Sequence, residues 1–299
     1  MLEEHKGEFV LNPIQFVKAQ RQVLEGLFDS EWFSRPYKRQ HPAYQRWDLC
    51  NDILNRGARI SFENQEDLAD LIFDNFGIVQ VTQGKVDDFV LGKLANYGDE
   101  NVQKRLRTII DDPSQFLDLL FEINYAAWQI ARGHQIRAFE SEGLPDFEIT
   151  IEPSGFLVAT DCKRVRADTS DARFRKLILK ANKQIKNLGK ECPGLAVIDI
   201  SAKLPQHVAS RDSLLPHVDR ICQILKQYLE RDNSSVSGSL VTWQSTQVLP
   251  MTDGSGGTLC VLNQHSKFVR HTRPLRDLPE EELSRVSYDS MLALKILPF

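Results

Sequence analysis

Three carboxylates and one lysine stand out because short strand-like segments carry them. Asp146 and Glu148 lie in the alternating run Asp-Phe-Glu-Ile-Thr-Ile at 146–151, and Asp161 and Lys163 close the apolar run 156–163. Side chains two apart on a strand share a face. Asp146 is therefore co-facial with Glu148, and Asp161 with Lys163. Pro153-Ser154-Gly155 between the runs reads as a turn. Pairing across it lets Asp146 and Asp161 converge on one cation. Oxygen donors of this kind select hard ions, so magnesium or manganese is the expected cofactor. Without a cation the clustered carboxylates would repel, and one would take up a proton. A divalent ion here would lower the pKa of bound water and offset charge on a scissile phosphate, with Lys163 orienting or activating that water. Glu122, in the helix-like stretch 121–133, is a further ligand or water-orienting candidate. The chemistry this points to is phosphodiester hydrolysis. Plainer readings compete with it. Asp146 after Pro145 also reads as a turn residue, Glu122 as a solvated helix residue, and Asp161 with Lys163 as an ion pair on a solvated face. Leu157 and Ala159, which share that face, speak against the last.

The elements that must position these groups follow from periodicity. Asp112-Pro113-Ser114 starts a helix over 116–132, with Leu117, Leu120, Phe121, Tyr125, Trp128 and Ala131 on one broad face, Glu122 near its edge, and Gly133 as its stop. Residues 135–139, 146–151 and 156–165 read as an antiparallel meander. Ser170 or Asp171 caps a helix to about residue 189 that buries Phe174, Leu177, Ile178, Ala181, Ile185 and Leu188. Residues 195–200 read as a buried strand, so strand, helix and strand imply a crossover and a parallel pair. A helix over 214–229, a polar turn at 233–238, strands over 240–249 and 259–269, and a loop at 252–257 complete this half. Residues 1–112 read as mainly helical, with helices near 67–73 and 102–110. The run 32–47 interleaves aromatic and basic residues and is broken by Pro36 and Pro42, which reads as a loop. That run is either a stacking surface for nucleic acid or the aromatic seal of a helical domain.

Pro145-Asp146, followed on the next strand by Asp161-Cys162-Lys163, resembles the PD-(D/E)xK signature of the restriction-endonuclease-like nuclease superfamily. The similarity extends over residues 113–201, through Glu122 on the first helix and Gln184 on the helix after the lysine. It implies an α/β fold (α+β in class): a mixed central sheet flanked by helices, with an αβββαβ core at 113–299 behind an N-terminal helical domain at 1–112. It also implies a metal-dependent nuclease, usually acting on DNA, of the kind found in bacterial restriction or anti-phage defence. In that family Asp146 and Asp161 match the metal-binding carboxylates, the Cys162 carbonyl a further ligand, Lys163 the catalytic lysine, and Gln184 a glutamine carried by some branches. Asp161 departs from the commoner glutamate, and its shorter reach changes the metal geometry.

A net charge of −4 over 299 residues gives no global attraction to nucleic acid. The local balance differs. Arg164, Arg166, Arg173, Arg175, Lys176, Lys180, Lys183, Lys186 and Lys190 face only Asp168 and Asp171 before Glu191. Arg164, Arg166, Arg173, Lys176, Lys180 and Lys183 are the candidate phosphate contacts; the competing reading is a solvated helix face. Arg270, His271, Arg273 and Arg276 form a second basic cluster. Asp199 reads as a local cap or ion-pair partner. Five scattered cysteines without a CxxC pair argue against a zinc site or a disulfide framework and for a reduced, cytoplasmic setting. No HxxxH or HxH spacing and no Walker-type loop occur. No apolar run approaches a membrane span. Expected partners are DNA, with a second copy of the chain or a regulatory protein docking on residues 1–112. Two other functions fit the same residues: a nucleic-acid-binding or assembly subunit without turnover, and a nuclease held inactive by its partner.

Overall fold

The computed structural model describes residues 30–56, 112–139, 143–189, 191–204, 211–230, 234–250, 258–287 and 289–296, with a few positions between 17 and 28. Sequence expectations at 67–73, 102–110 and 252–257 lie outside the described residues.

The N-terminal part contains helix α1 (Ser30–Ser34), a 3-10 turn (Pro36–Lys38) and helix α2 (Pro42–Arg56). This corrects the reading of 32–47 as a loop. Pro36 and Pro42 open helical segments at their first position, where a missing N–H costs nothing, instead of breaking them. Several aromatics of this run pack inward. Trp32 and Phe33 are buried with Leu24, Phe28 and Ala43. Lys38 lies over the Trp32 ring at 5.4 Å. Of the two readings of this run, the aromatic seal is the one the packing supports.

Helix α3 (Pro113–Ala131) begins where expected: the Asp112 side chain accepts from the Ser114 N–H at 2.8 Å. It ends at Gly133, whose φ of +89° is the left-handed geometry a helix stop uses. Its burial exceeds one face. Phe116 and Leu120 join the N-terminal aromatic cluster, while Phe121, Ile123, Tyr125, Ala126 and Ala127 pack on the sheet.

Strands β1 (Gln135–Ala138), β2 (Phe147–Ile151) and β3 (Phe156–Arg164) form the expected antiparallel meander. Helix α4 (Asp171–Asn187) then crosses to β4 (Gly194–Asp199), which runs parallel to β3. Its buried residues, Phe174, Leu177, Ile178, Ala181 and Ile185, are those its 3.6-residue periodicity selects. Helix α5 (Arg211–Leu229) leads to β5 (Val236–Pro250), parallel to β4. Strand β6 (Thr258–Arg270), helix α6 (Glu280–Arg285) and strand β7 (Ser290–Ile296) follow. Among the described residues the seven strands form one mixed sheet in chain order. Strand β5 starts inside the segment read as a polar turn, because the Val236 side chain enters the core beside Gly194 and Leu225. Neither α6 nor β7 was legible beforehand.

The sheet separates two cores. Helices α4 and α5 cover one face, against Ala159, Ala196, Ile198 and Trp243. Helix α3 covers the other, against Phe147, Ile149, Val158, Cys162 and Leu195. The chain after α6 is latched onto the end of α3. Tyr125 Oη and Gln129 Nε2 both donate to the Val286 carbonyl, at 2.8 and 3.2 Å, and Arg132 donates to the carbonyls of Arg285 and Ser287. The Glu152 N–H donates to His134 Nδ1, so Nε2 holds the proton and donates to the Arg285 carbonyl at 3.1 Å. No described helix is long and apolar enough to cross a membrane.

Candidate active site

Register brings the two aspartates together. The β2–β3 ladder ends at the pair Phe147–Thr160, which leaves Asp146 just before β2 beside the part of β3 that carries Asp161 and Cys162. The Asp146 N–H donates to the carbonyl of the same Thr160 at 3.0 Å, which fastens Asp146 to β3 at the end of the regular ladder. Strand alternation fixes the face. Val158 and Cys162 enter the α3 core and Ala159 enters the α4 core, so Asp161 and Lys163 point toward α4. The expected meeting of Asp146, Asp161 and Lys163 is what the packing produces.

The contacts are short and charged. Asp146 Oδ2 accepts from the Cys162 N–H at 2.7 Å. Lys163 Nζ donates to Asp161 Oδ1 at 2.5 Å and to the Cys162 carbonyl at 3.1 Å. Asp161 is wholly buried, and the Lys163 side chain is 12% exposed. The pair is thus real, but it does not sit on a solvated face. Burial, then the neighbouring Asp146, pushes the Asp161 carboxyl up to about 7, against the pull of Lys163 and Lys180. Burial works against the Lys163 ammonium, but Asp146 and Asp161 outweigh it and hold its pKa above the usual lysine value. Lys163 is therefore a hydrogen-bond donor in this arrangement, with no free pair to act as a base.

The loop carrying Asp146 is held from α4. Gln184 Nε2 donates to the Leu144 carbonyl at 2.7 Å, and Asn187 Nδ2 donates to the Gly143 carbonyl at 3.0 Å. Three residues apart on one helix, the two amides grip consecutive carbonyls just before Pro145-Asp146. Gln184 thus joins the site as a residue that positions Asp146. Asn187 was missed in the sequence; its spacing from Gln184 was visible, but its partner was not.

Glu122 is buried on α3, which packs on the face of the sheet opposite Asp161. Among the described residues no three His, Cys, Asp or Glu side chains gather closely enough to share a metal ion. Asp118, one turn before Glu122, was also missed. Its side chain is exposed on α3, yet desolvation raises its pKa against the pull of Arg164, Arg166 and Lys163. Glu148 is buried on β2 opposite Ala159, on the sheet face that also carries Asp161. Asp199 Oδ1 accepts from the Ser201 N–H and Oγ, and its other oxygen lies 3.8 Å from Arg164, which is the local role expected of it.

The oxygens present suit a hard cation. Two carboxylates and the Cys162 carbonyl are donors of the required type, and water commonly completes such a shell. Asp161 Oδ2 is buried without a hydrogen-bond partner, an anionic oxygen that a cation would satisfy.

Charge continues from this site along α4. Arg173, Lys176, Lys180 and Lys183 are exposed at spacings of three, four and three, a stripe of about 15 Å on the flank that carries Gln184. Among the described residues none of the four has an ion-pair partner. The second basic cluster differs: Arg270 pairs with Asp277 and Glu280, and Arg276 with Glu191. A groove of about 770 Å³ between α5 and the end of β6 is lined by Cys222, Lys226, Lys267 and Arg270 among others, and by none of the candidate site residues. Compared with models of known protein families, with curated proteins and with solved structures, the chain matches none.

Proposed function

We propose that this protein is a metal-dependent phosphodiester hydrolase acting on nucleic acid, with DNA the foremost substrate, built on a restriction-endonuclease-like core. The observation that carries the reading is the gathering of Asp146, Asp161 and Lys163 at the end of the β2–β3 ladder, Asp146 held by the Cys162 N–H and Lys163 by Asp161, with an uncompensated basic stripe alongside. The helix, meander, helix and strand from α3 to β4 follow the order of that core.

Asp146, Asp161 and the Cys162 carbonyl would hold a magnesium or manganese ion, which when bound would lower the pKa of its water and offset phosphate charge. Asp146 is preorganised for this by its bond from the Cys162 N–H and by the Gln184–Asn187 grip on its loop. Lys163, an ammonium here, supplies a positive donor for the scissile phosphate or the attacking water. Arg173, Lys176, Lys180 and Lys183 contact successive phosphates and set the strand's path past the carboxylates. These are backbone contacts, which position without reading sequence.

The test is incubation with supercoiled plasmid, linear duplex, single strands and RNA, with magnesium or with chelator. Magnesium-dependent cleavage that vanishes in Asp161→Ala and in Lys163→Ala is expected. Cleavage that survives both changes ends the assignment. Salt-sensitive binding without any cleavage, indifferent to Lys163, identifies instead a subunit that binds without turnover.

A further inference from the structure

We propose that Lys163 is the resident counter-cation of this site and exchanges places with the divalent ion. The inference rests on the reading just given and concerns how that site is loaded. Lys163 Nζ contacts Asp161 Oδ1 at 2.5 Å and the Cys162 carbonyl at 3.1 Å, and both oxygens belong to the donor set. An ion bound to these oxygens at roughly 2.0–2.6 Å would occupy the space the ammonium now fills. Two cations cannot share those oxygens at such distances without strong repulsion. One of them must go.

The structure decides which group moves. Asp161 is wholly buried on a strand paired on both sides, so its carboxylate is fixed. Nζ rides on a flexible four-carbon stem, and the Lys163 side chain reaches solvent over 12% of its surface. Charge favours the exchange, since a doubly charged ion meets Asp146 and Asp161 with about twice the Coulomb attraction of an ammonium at equal distance. Without the ion, Lys163 prevents Asp161 from lying buried beside Asp146 uncompensated, a costly state. The lysine therefore does two jobs in sequence. It holds the empty site together, and on loading it is released toward the solvent side, where substrate arrives. The catalytic lysine becomes available only when the site is charged.

Two measurements on the full-length chain test this, and neither reads cleavage. The first is limited reductive methylation with peptide mass spectrometry, in chelator or in saturating manganese. Lys163 should be protected in chelator and labelled at least several-fold faster with manganese. Lys203, whose Nζ donates to the Thr169 carbonyl away from the carboxylates, is the unchanged control. The second is manganese affinity by calorimetry. Lys163→Met should tighten binding about 10-fold or more, and Lys180→Met, which removes a nearby charge that does not contact the oxygens, much less. Manganese binding with unchanged Lys163 labelling overturns the exchange and leaves the nuclease reading standing. Equal tightening in both variants also overturns it, as a bulk charge effect. No manganese binding by wild type or Lys163→Met removes the exchange and the nuclease reading together.

Discussion

Two buried polar clusters lie at opposite ends of the β1–β2–β3 meander, and they are built on different terms. The buried part of the latch at the end of α3 joins neutral groups to backbone carbonyls: Tyr125, Gln129 and His134 donate to Val286 and Arg285, while the charged Arg132 of the latch lies exposed at its rim. The Asp146–Asp161–Lys163 cluster gathers formal charges instead. Each leaves one side-chain oxygen without a partner. In the latch it is Gln129 Oε1, and in the charged cluster it is Asp161 Oδ2. A neutral orphan costs about 1–3 kcal/mol and is tolerated. An anionic orphan costs more, and the protein answers it with a raised pKa and a lysine drawn onto the carboxylate. Polar burial that ends in dipoles is structural. Polar burial that ends in unbalanced charge marks a place reserved for something else.

Removing the charge is the strongest way to break that contrast. The double variant Asp161→Asn with Lys163→Met should lose cleavage by about 10³-fold or more, the equivalent of several kcal/mol of charge stabilisation. It should lose no more than about 1–3 kcal/mol in unfolding, the cost of a neutral orphan, because both charges are removed together. A large fall in stability in calorimetric unfolding would make the pair structural. Next in size is the grip on the Asp146 loop. Gln184→Ala or Asn187→Ala should weaken manganese binding about 10-fold by calorimetry, as loss of supporting hydrogen bonds does at metal sites. Neither change should alter unfolding by more than about 1 kcal/mol. Unchanged affinity in both variants would separate α4 from the site.

The latch should respond in the opposite sense. Gln129→Ala or Tyr125→Phe should cost about 1–2 kcal/mol in unfolding and leave manganese affinity unchanged. The smallest effect is that of pH on His134. Burial holds its pKa below the ordinary 6.5, with Arg132 and Arg285 reinforcing the shift and the bond to the Arg285 carbonyl opposing it. The folded chain therefore takes up this proton later than the unfolded chain as pH falls. The stability that His134 contributes is present above about 6.5 and is lost on acidification through the window below it. Unfolding midpoints of wild type and His134→Gln should diverge above that value and converge below it.

How much of this was legible in the sequence depended on the range of the interaction. Strands β2 and β3 and the buried face of α4 follow from local alternation and periodicity, and Asp146, Asp161 and Lys163 inherit their shared face from the same rule. Gln184 was legible as a residue but not in its role, because the Leu144 carbonyl lies forty positions away and only the tertiary fold brings it close. Glu122 was legible only as lying near the edge of its helix face, and a helix edge says nothing of which sheet face the helix covers. Pro36 and Pro42 were read as breakers because proline ends and begins helices with the same residue. Strand β7 and helix α6 gave no local signal comparable to that of the central strands.

Helix α3 shares its first turns with the N-terminal aromatics and its remainder with the sheet. A protein cut at residue 112 would therefore not yield a clean fragment. It would uncover Phe116 and Leu120, which are 3% and 5% exposed in the intact chain, and leave an oily knob prone to self-association. The two halves are joined like a spindle through two wheels. Expression trials of the C-terminal half alone should retain residues 24–56 in some form, or replace Phe116 and Leu120 with polar residues before judging its solubility.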